Sequence, residues 1–153
     1  MHKLCFALAV TLLLAGSTVV FGQRSAVMKP INQFVNGFNK GDFASAMAAC
    51  SETTAIIDEF PPHSWSGPGA CQAWADAFDA DAKKNHITNG KVILGKPSHF
   101  ESTSDYAYVV IPSNYTFKQR GKPMSEPGSI FTFALQKGAA GWAITAWSWA
   151  TTK

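Results

Sequence analysis

In this 153-residue chain the residue best placed to do chemistry is Asp58. It follows Ile56-Ile57 in a stretch whose neighbours should be buried, so its carboxylate either faces solvent as ordinary strand alternation or points into a cavity. In a cavity, desolvation raises its pKa and suits it to proton transfer near neutrality. Glu59 beside it must then take the opposite face. The loop Pro61-Pro62-His63-Ser64-Trp65-Ser66-Gly67 brings an imidazole and an indole close to the carboxylate in sequence. His63 is therefore a second candidate for proton transfer. The competing reading leaves it exposed on a proline-stiffened loop, with Trp65 plugging one end of the core.

Other reactive groups point to structure. His63, His86 and His99 lack any paired ligand spacing, and neither Cys50 nor Cys71 belongs to a close Cys or His doublet, so no metal and no cofactor is expected. Asp76, Asp79 and Asp81 lack the alternating ligands and tight-turn Gly of a calcium loop. They read as a solvated helical face, with Asp79 and Lys83 paired at i,i+4. Cys50 and Cys71 read first as a disulfide, an even pair in an exported chain. Closing that loop stabilises the fold by ~3 kcal/mol on the chain-entropy argument. The alternative is a Cys71 thiolate at a helix N-terminus after Gly67-Pro68-Gly69-Ala70, but no His follows in a nucleophile pattern.

The elements that must position these residues are legible from periodicity. Met28, Ile31, Phe34, Val35 and Phe38 recur at helical spacing and make one buried stripe. Gly41 can end that helix in a left-handed cap, and Asp42 can N-cap a shorter helix carrying Phe43, Ala46, Met47 and Cys50. Ala55 to Phe60 reads as a short strand stopped by Pro61-Pro62, neither of which can donate to a ladder. A loop from His63 to Gly69 leads to a third helix, from about Ala70 to Lys84, burying Trp74, Ala77, Phe78 and Cys71. Beyond Asn89 the texture turns to strands, near Gly90 to Phe100, Tyr106 to Phe117, Ser129 to Gln136 and Trp142 to Ala150. Long antiparallel neighbours in sequence order suggest a meander, curved enough to hold helices on its concave face. Pro112 inside the second of these marks a bulge or an edge position.

Residues 1–22 read as a removed signal peptide: Lys3 supplies a positive start, Leu4 to Ala15 are apolar, and Val20-Phe21-Gly22 offers a small-residue junction. The apolar run is short for a membrane anchor, and Ser17 stands where a lipoprotein would need Cys. The expectation is a secreted or periplasmic protein with no stable membrane anchor, residues 23–28 as a linker and one domain over 29–150. Without Lys3, 12 basic residues stand against 10 acidic ones, scattered singly apart from Lys83-Lys84, which argues against nucleic acid.

The order of helix, Asn39-Lys40-Gly41-Asp42 corner, short helix, strand with Ile57-Asp58, Gly67 loop, third helix and long meander resembles the nuclear transport factor 2-like superfamily. Within it, the ketosteroid isomerase-like and SnoaL-like branches are the nearer match, over nearly the whole mature chain. The resemblance implies an α+β fold: three N-terminal helices on the concave face of a strongly curved, mainly antiparallel sheet, a cone-shaped α+β barrel. In ketosteroid isomerases the strand carboxylate shuttles a proton beside a ketone, and by its spacing to Gly67 it matches Asp58. The helix-one tyrosine that stabilises the enolate matches Phe34, and the partner acid falls near Ser129. Phe34 has no proton to donate and Ser129 is not an acid, so a major electrostatic contribution is missing and steroid isomerisation is not expected.

The remaining candidates are apolar. Trp142, Trp147 and Trp149, with Phe131 and Phe133, read mainly as core. Phe34, Trp65, Trp74, Tyr108, Tyr115 and Trp147 are the candidate lining for a flat, mainly apolar or aromatic small ligand. Three functions stay open: an exported small-molecule-binding domain, a proton-transfer enzyme of isomerase, cyclase or dehydratase type with Asp58 as general base, and an interaction module that forms a homodimer through the sheet.

Overall fold

The computed structural model describes residues 11–152. Residues 1–10 of the expected leader lie outside the described residues, and the junction expected after Gly22 falls inside a helix, α1 (Thr11–Lys40). Among the described residues no helix is long and apolar enough to cross a membrane.

The apolar stripe of α1 buries Val27, Ile31, Phe34 and Val35. Residues 23–28, expected as a linker, are helical instead, because Val27 starts the same i, i+4, i+8 stripe and is wholly buried. Pro30 sits within this helix without ending it. Gly41 takes the left-handed conformation (φ +71°) and Asp42 caps α2 (Phe43–Met47), its carboxylate accepting from the Ser45 amide at 3.0 Å. Gly37 lets the two helices touch: a Cβ there would lie 2.6 Å from the Ala46 nitrogen and 2.8 Å from the Asp42 carbonyl oxygen.

The helices are followed by β1 (Cys50–Ile57), β2 (Ser64–Pro68), α3 (Ala70–Asn85), β3 (Ile87–Leu94), β4 (His99–Ser102), β5 (Tyr106–Gln119), β6 (Lys122–Gly138) and β7 (Gly141–Ala150). Several expected boundaries move. Cys50 opens β1 rather than closing α2, and β1 ends at Ile57, one residue before the acid. The expected loop from His63 to Gly69 contains β2, which pairs antiparallel with β1 from Ile57↔Ser64 to Thr53↔Pro68. The expected strand from Gly90 to Phe100 is two strands, split between Leu94 and His99. Pro112 lies across that split, where its carbonyl accepts from the Gly95 amide at 2.8 Å and no ladder position requires the amide hydrogen that proline lacks.

The seven strands form one curved sheet in the order β2-β1-β7-β6-β5-β3, with β4 also on β5. All pairs are antiparallel except β1 with β7, so the sheet is mixed, and it does not close on itself. Helix α1 lies against β7 and β3, and α3 against β1 and β2. The fold is thus α+β with helices on the concave face, as the resemblance implied. The core between the layers centres on Phe34, Trp74, Phe131, Phe133 and Trp147.

Cys50 and Cys71 form a disulfide, joining the start of β1 to the first turn of α3. Replacing both by alanine is expected to cost about 3 kcal/mol of unfolding free energy through the 21-residue separation it no longer constrains. A lower urea midpoint for the variant, reproduced by wild type under reducing conditions, checks this; an unchanged midpoint would refute it.

Candidate functional site

Asp58 stands one residue beyond β1 and keeps the strand's parity. Thr54 and Ile56 are buried, Ile57 is 62% exposed, and Asp58 turns inward at 9% exposure. Its backbone is fixed by the turn that follows, where its amide donates to the His63 carbonyl at 3.0 Å. Its carboxylate is fixed by two donors: Trp74 Nε1 to Oδ2 at 2.8 Å, and the Glu59 amide to Oδ1 at 2.7 Å. Burial lifts its pKa from the ordinary 3.8 to about 6, against the opposing effect of the Trp74 hydrogen bond. Asp58 is therefore a carboxyl poised between its two protonation states near neutrality.

The carboxyl opens onto a cavity of about 120 Å³ between helices and sheet. That is below the range of drug-sized sites, roughly 300–1,000 Å³, and suits something about the size of an aromatic ring. Aromatic rings dominate the walls: Phe34 and Phe38 from α1, Trp74 and Phe78 from α3, Tyr115 and Phe117 from β5, Phe131 from β6, and Trp147 and Trp149 from β7. Phe34 holds its ring centroid 5.8 Å from that of Trp74 and 5.6 Å from that of Trp147, and the two indoles meet edge-on at 4.8 Å.

Of the candidates read from sequence, the structure brings together Asp58, Phe34, Trp74, Tyr115 and Trp147 on this cavity. It does not bring Trp65, Tyr108 or His63 there. Trp65 lies on the edge strand β2 and covers Phe60 at 5.1 Å from outside. Tyr108 is 46% exposed because Ala107, Val109 and Ile111 occupy the inner face, so the alternation that brings Tyr115 inward turns Tyr108 outward. His63 is exposed, and its Nδ1 lies 3.2 Å from the backbone oxygen of Asp58 rather than meeting the carboxylate. Glu59 keeps the outward exposure that alternation gives it, yet it also borders the cavity. It sits exposed at the cavity rim, bonded by the Thr151 hydroxyl.

Asp81, expected on a solvated helical face, is half-buried and lines the cavity, and one further acid on the wall had no counterpart in the sequence reading. The position expected for a partner acid is Ser129, but Glu126, three residues earlier on β6, reaches the cavity. Register explains it: Ser113 pairs with Ser129 and Tyr115 with Glu126, so β6 carries one extra residue, a bulge at Pro127-Gly128 with Gly128 at φ +75°. The bulge moves an even-numbered side chain onto the inner face of Ser129, Phe131 and Phe133. The Glu-Pro-Gly run in mid-strand was the available signal. Burial, and then the neighbouring Glu59 carboxylate, push the Glu126 pKa up to about 7.

Three buried polar atoms on these walls have no hydrogen-bond partner: Tyr115 Oη, Glu126 Oε2 and Trp147 Nε1. Burial holds the Tyr115 hydroxyl above its ordinary pKa, so it stays a donor throughout the working pH range. Among the described residues, no group of three or more His, Cys, Asp or Glu side chains could hold a metal ion.

The SnoaL-like domain family matches residues 27–149. No curated protein matches the chain. Among solved structures, the chain is similar to an NTF2-like protein with a cystatin-like fold from Novosphingobium aromaticivorans, with TM-score 0.73, 16% identity and coverage of 97% of this chain and 93% of that one. It is also similar to a ketosteroid isomerase-like protein from Erwinia carotovora (TM-score 0.62, 14% identity, 84% and 95% covered). A third is ActVI-ORFA from Streptomyces coelicolor (TM-score 0.67, 15% identity, 86% and 98% covered). At these identities the likeness is one of fold.

Two outcomes follow from the state of Asp58. An acid with a raised folded pKa keeps its proton longer in the fold than in the unfolded chain, so its contribution is most favourable below the unfolded value and falls as pH rises through about 6. Asp58→Asn is therefore expected to gain on wild type between about pH 4 and about pH 8, by on the order of 3 kcal/mol, in urea unfolding at both ends; a pH-independent difference would refute it. Trp74→Phe removes the donor that favours the charged form and is expected to move the Asp58 midpoint above about 6 in a carboxyl-carbon NMR titration.

Proposed function

This chain belongs to the SnoaL-like domain family, and we propose that it binds a small, largely aromatic molecule in the cavity and exchanges a proton with it through Asp58. The observation that supports this most directly is a buried carboxyl, held by Trp74 and raised to about 6, on the wall of a ring-sized aromatic cavity. Ionised Asp58 takes a proton from a carbon beside a carbonyl, and the electron pair moves toward the carbonyl oxygen. That oxygen needs a donor, which Phe34 cannot supply. Trp147 Nε1, buried on the same cavity and without a partner, is the donor available, whereas the Tyr115 hydroxyl packs against Gly90 of β3. The reaction class is isomerase, cyclase or dehydratase.

A second reading, binding without turnover, is supported by the fact that both Asp58 oxygens already accept a hydrogen bond. Export completes the proposal: the Cys50–Cys71 disulfide suits an oxidising compartment, secreted or periplasmic. Assembly as a homodimer through the sheet is part of it too, supported by the exposed Tyr106 and Tyr108 of β5.

The test is deuterium uptake at the α-carbon of a small cyclic aryl ketone in heavy water, followed by proton NMR beside a direct binding measurement. Wild type is expected to accelerate exchange, with a rate that rises through pH about 6 as Asp58 ionises. Asp58→Asn should keep binding and lose about 10²-fold or more of the exchange rate. Binding without exchange in wild type would leave the second reading standing.

A further inference from the structure

The charge of the cavity wall is at odds with the charge of the chain. The sequence carries a formal net charge of +3, yet the residues lining the cavity include Asp58, Glu59, Asp81 and Glu126 and no Lys, Arg or His. These acids come from the end of β1, from α3 and from β6, so tertiary structure gathers them and no single acidic segment does. Between them stand the faces and edges of aromatic rings, which attract positive charge through their quadrupoles. Glu126 Oε2 is buried with no donor in hydrogen-bonding geometry, although the Trp149 indole stands near enough to the carboxyl to favour its charged form, and Trp147, itself only 3% exposed, has an indole N–H with nothing to donate to. The first lacks a donor and the second an acceptor.

From this arrangement we propose that the cavity selects an organic cation, a protonated amine on a ring-sized apolar body; an oxygen that accepts from Trp147 adds affinity but is not required. The inference rests on the reading of the cavity as a small-molecule site and adds the charge of its occupant. The ammonium lies against Glu126 and its neighbour Glu59 at the rim, where its N–H groups reach Glu126 Oε2 and its charge faces aromatic walls. The ring lies deeper, toward Phe34 and Trp74. A metal cation does not fit the same acids, since among the described residues no three His, Cys, Asp or Glu groups converge as ligands. A neutral hydroxyl can donate to the Glu126 oxygen but brings no charge to the carboxylates, and a carboxylate occupant has no hydrogen to donate and is repelled by them.

Three probes of one size and different charge separate the possibilities: benzylammonium, benzyl alcohol and benzoate, titrated by calorimetry and tryptophan fluorescence against the full protein at about pH 8, above the range in which Asp58 and Glu126 ionise. Benzylammonium is expected to bind about tenfold or more tightly than benzyl alcohol, and benzoate not measurably. Glu126→Gln should remove most of that preference while leaving benzyl alcohol binding in place, which also shows that the variant is folded. If benzyl alcohol binds wild type as tightly as benzylammonium, the charge assignment is overturned while the cavity reading survives. If the folded protein binds none of the three, the cavity reading fails and the inference with it.

Discussion

The hydrogen bond from Trp74 Nε1 to Asp58 Oδ2 organises the site. It ties α3 to the end of β1 across the layer interface and satisfies an indole that would otherwise bury an unpaired donor. It also holds a carboxyl in surroundings that disfavour its charge. Two effects of opposite sign act on one group: burial favours the neutral form and the indole hydrogen bond favours the ionised one. Burial is the larger, and the residue titrates at about 6 instead of 3.8. The disulfide reinforces the geometry, because it anchors the first turn of α3 to the start of the strand whose far end leads into Asp58.

Around that pair, the curved sheet decides what the carboxyl faces. Meander strands bring aromatic side chains inward at every second position, and α1 and α3 answer with Phe34, Phe38, Trp74 and Phe78. Most of these rings meet edge-on or tilted, Trp74 with Phe78 and Tyr115 with Phe117 stack, and a ring-sized gap is left among them. Where the β5–β6 ladder changes register, the bulge at Pro127-Gly128 rotates Glu126 into the same space. A local irregularity of backbone thus adds an acid that neither α1 nor the regular part of β6 provides to the Asp58, Glu59 and Asp81 already on a mainly aromatic cavity.

The match of residues 27–149 to the SnoaL-like family fits this division between frame and site. The frame is shared with proteins of 14–16% identity, from which little beyond architecture can be carried over. The site is described from this chain's own residues: Asp58 held by Trp74, and Glu126 and Trp147 with polar atoms still to be paired.

Local physics made much of the frame legible. The α1 stripe follows from helical spacing, the corner from what Gly41 and Asp42 alone can do, the meander from alternation and turns, and the Cys50–Cys71 bridge from an even cysteine pair. The opposite faces of Tyr108 and Tyr115 were also within reach of simple parity. The inward turn of Asp58 was only half legible, because alternation allows both faces until a neighbour such as Trp74 is placed. What tertiary structure alone decided are quantities that no segment contains: a pKa set by how much water the fold removes, the inner face of Glu126 set by a register shift between two strands, and the gathering of four acids from three separate stretches of chain around one cavity. Each depends on distances between residues remote in sequence, and sequence spacing carries no such distances.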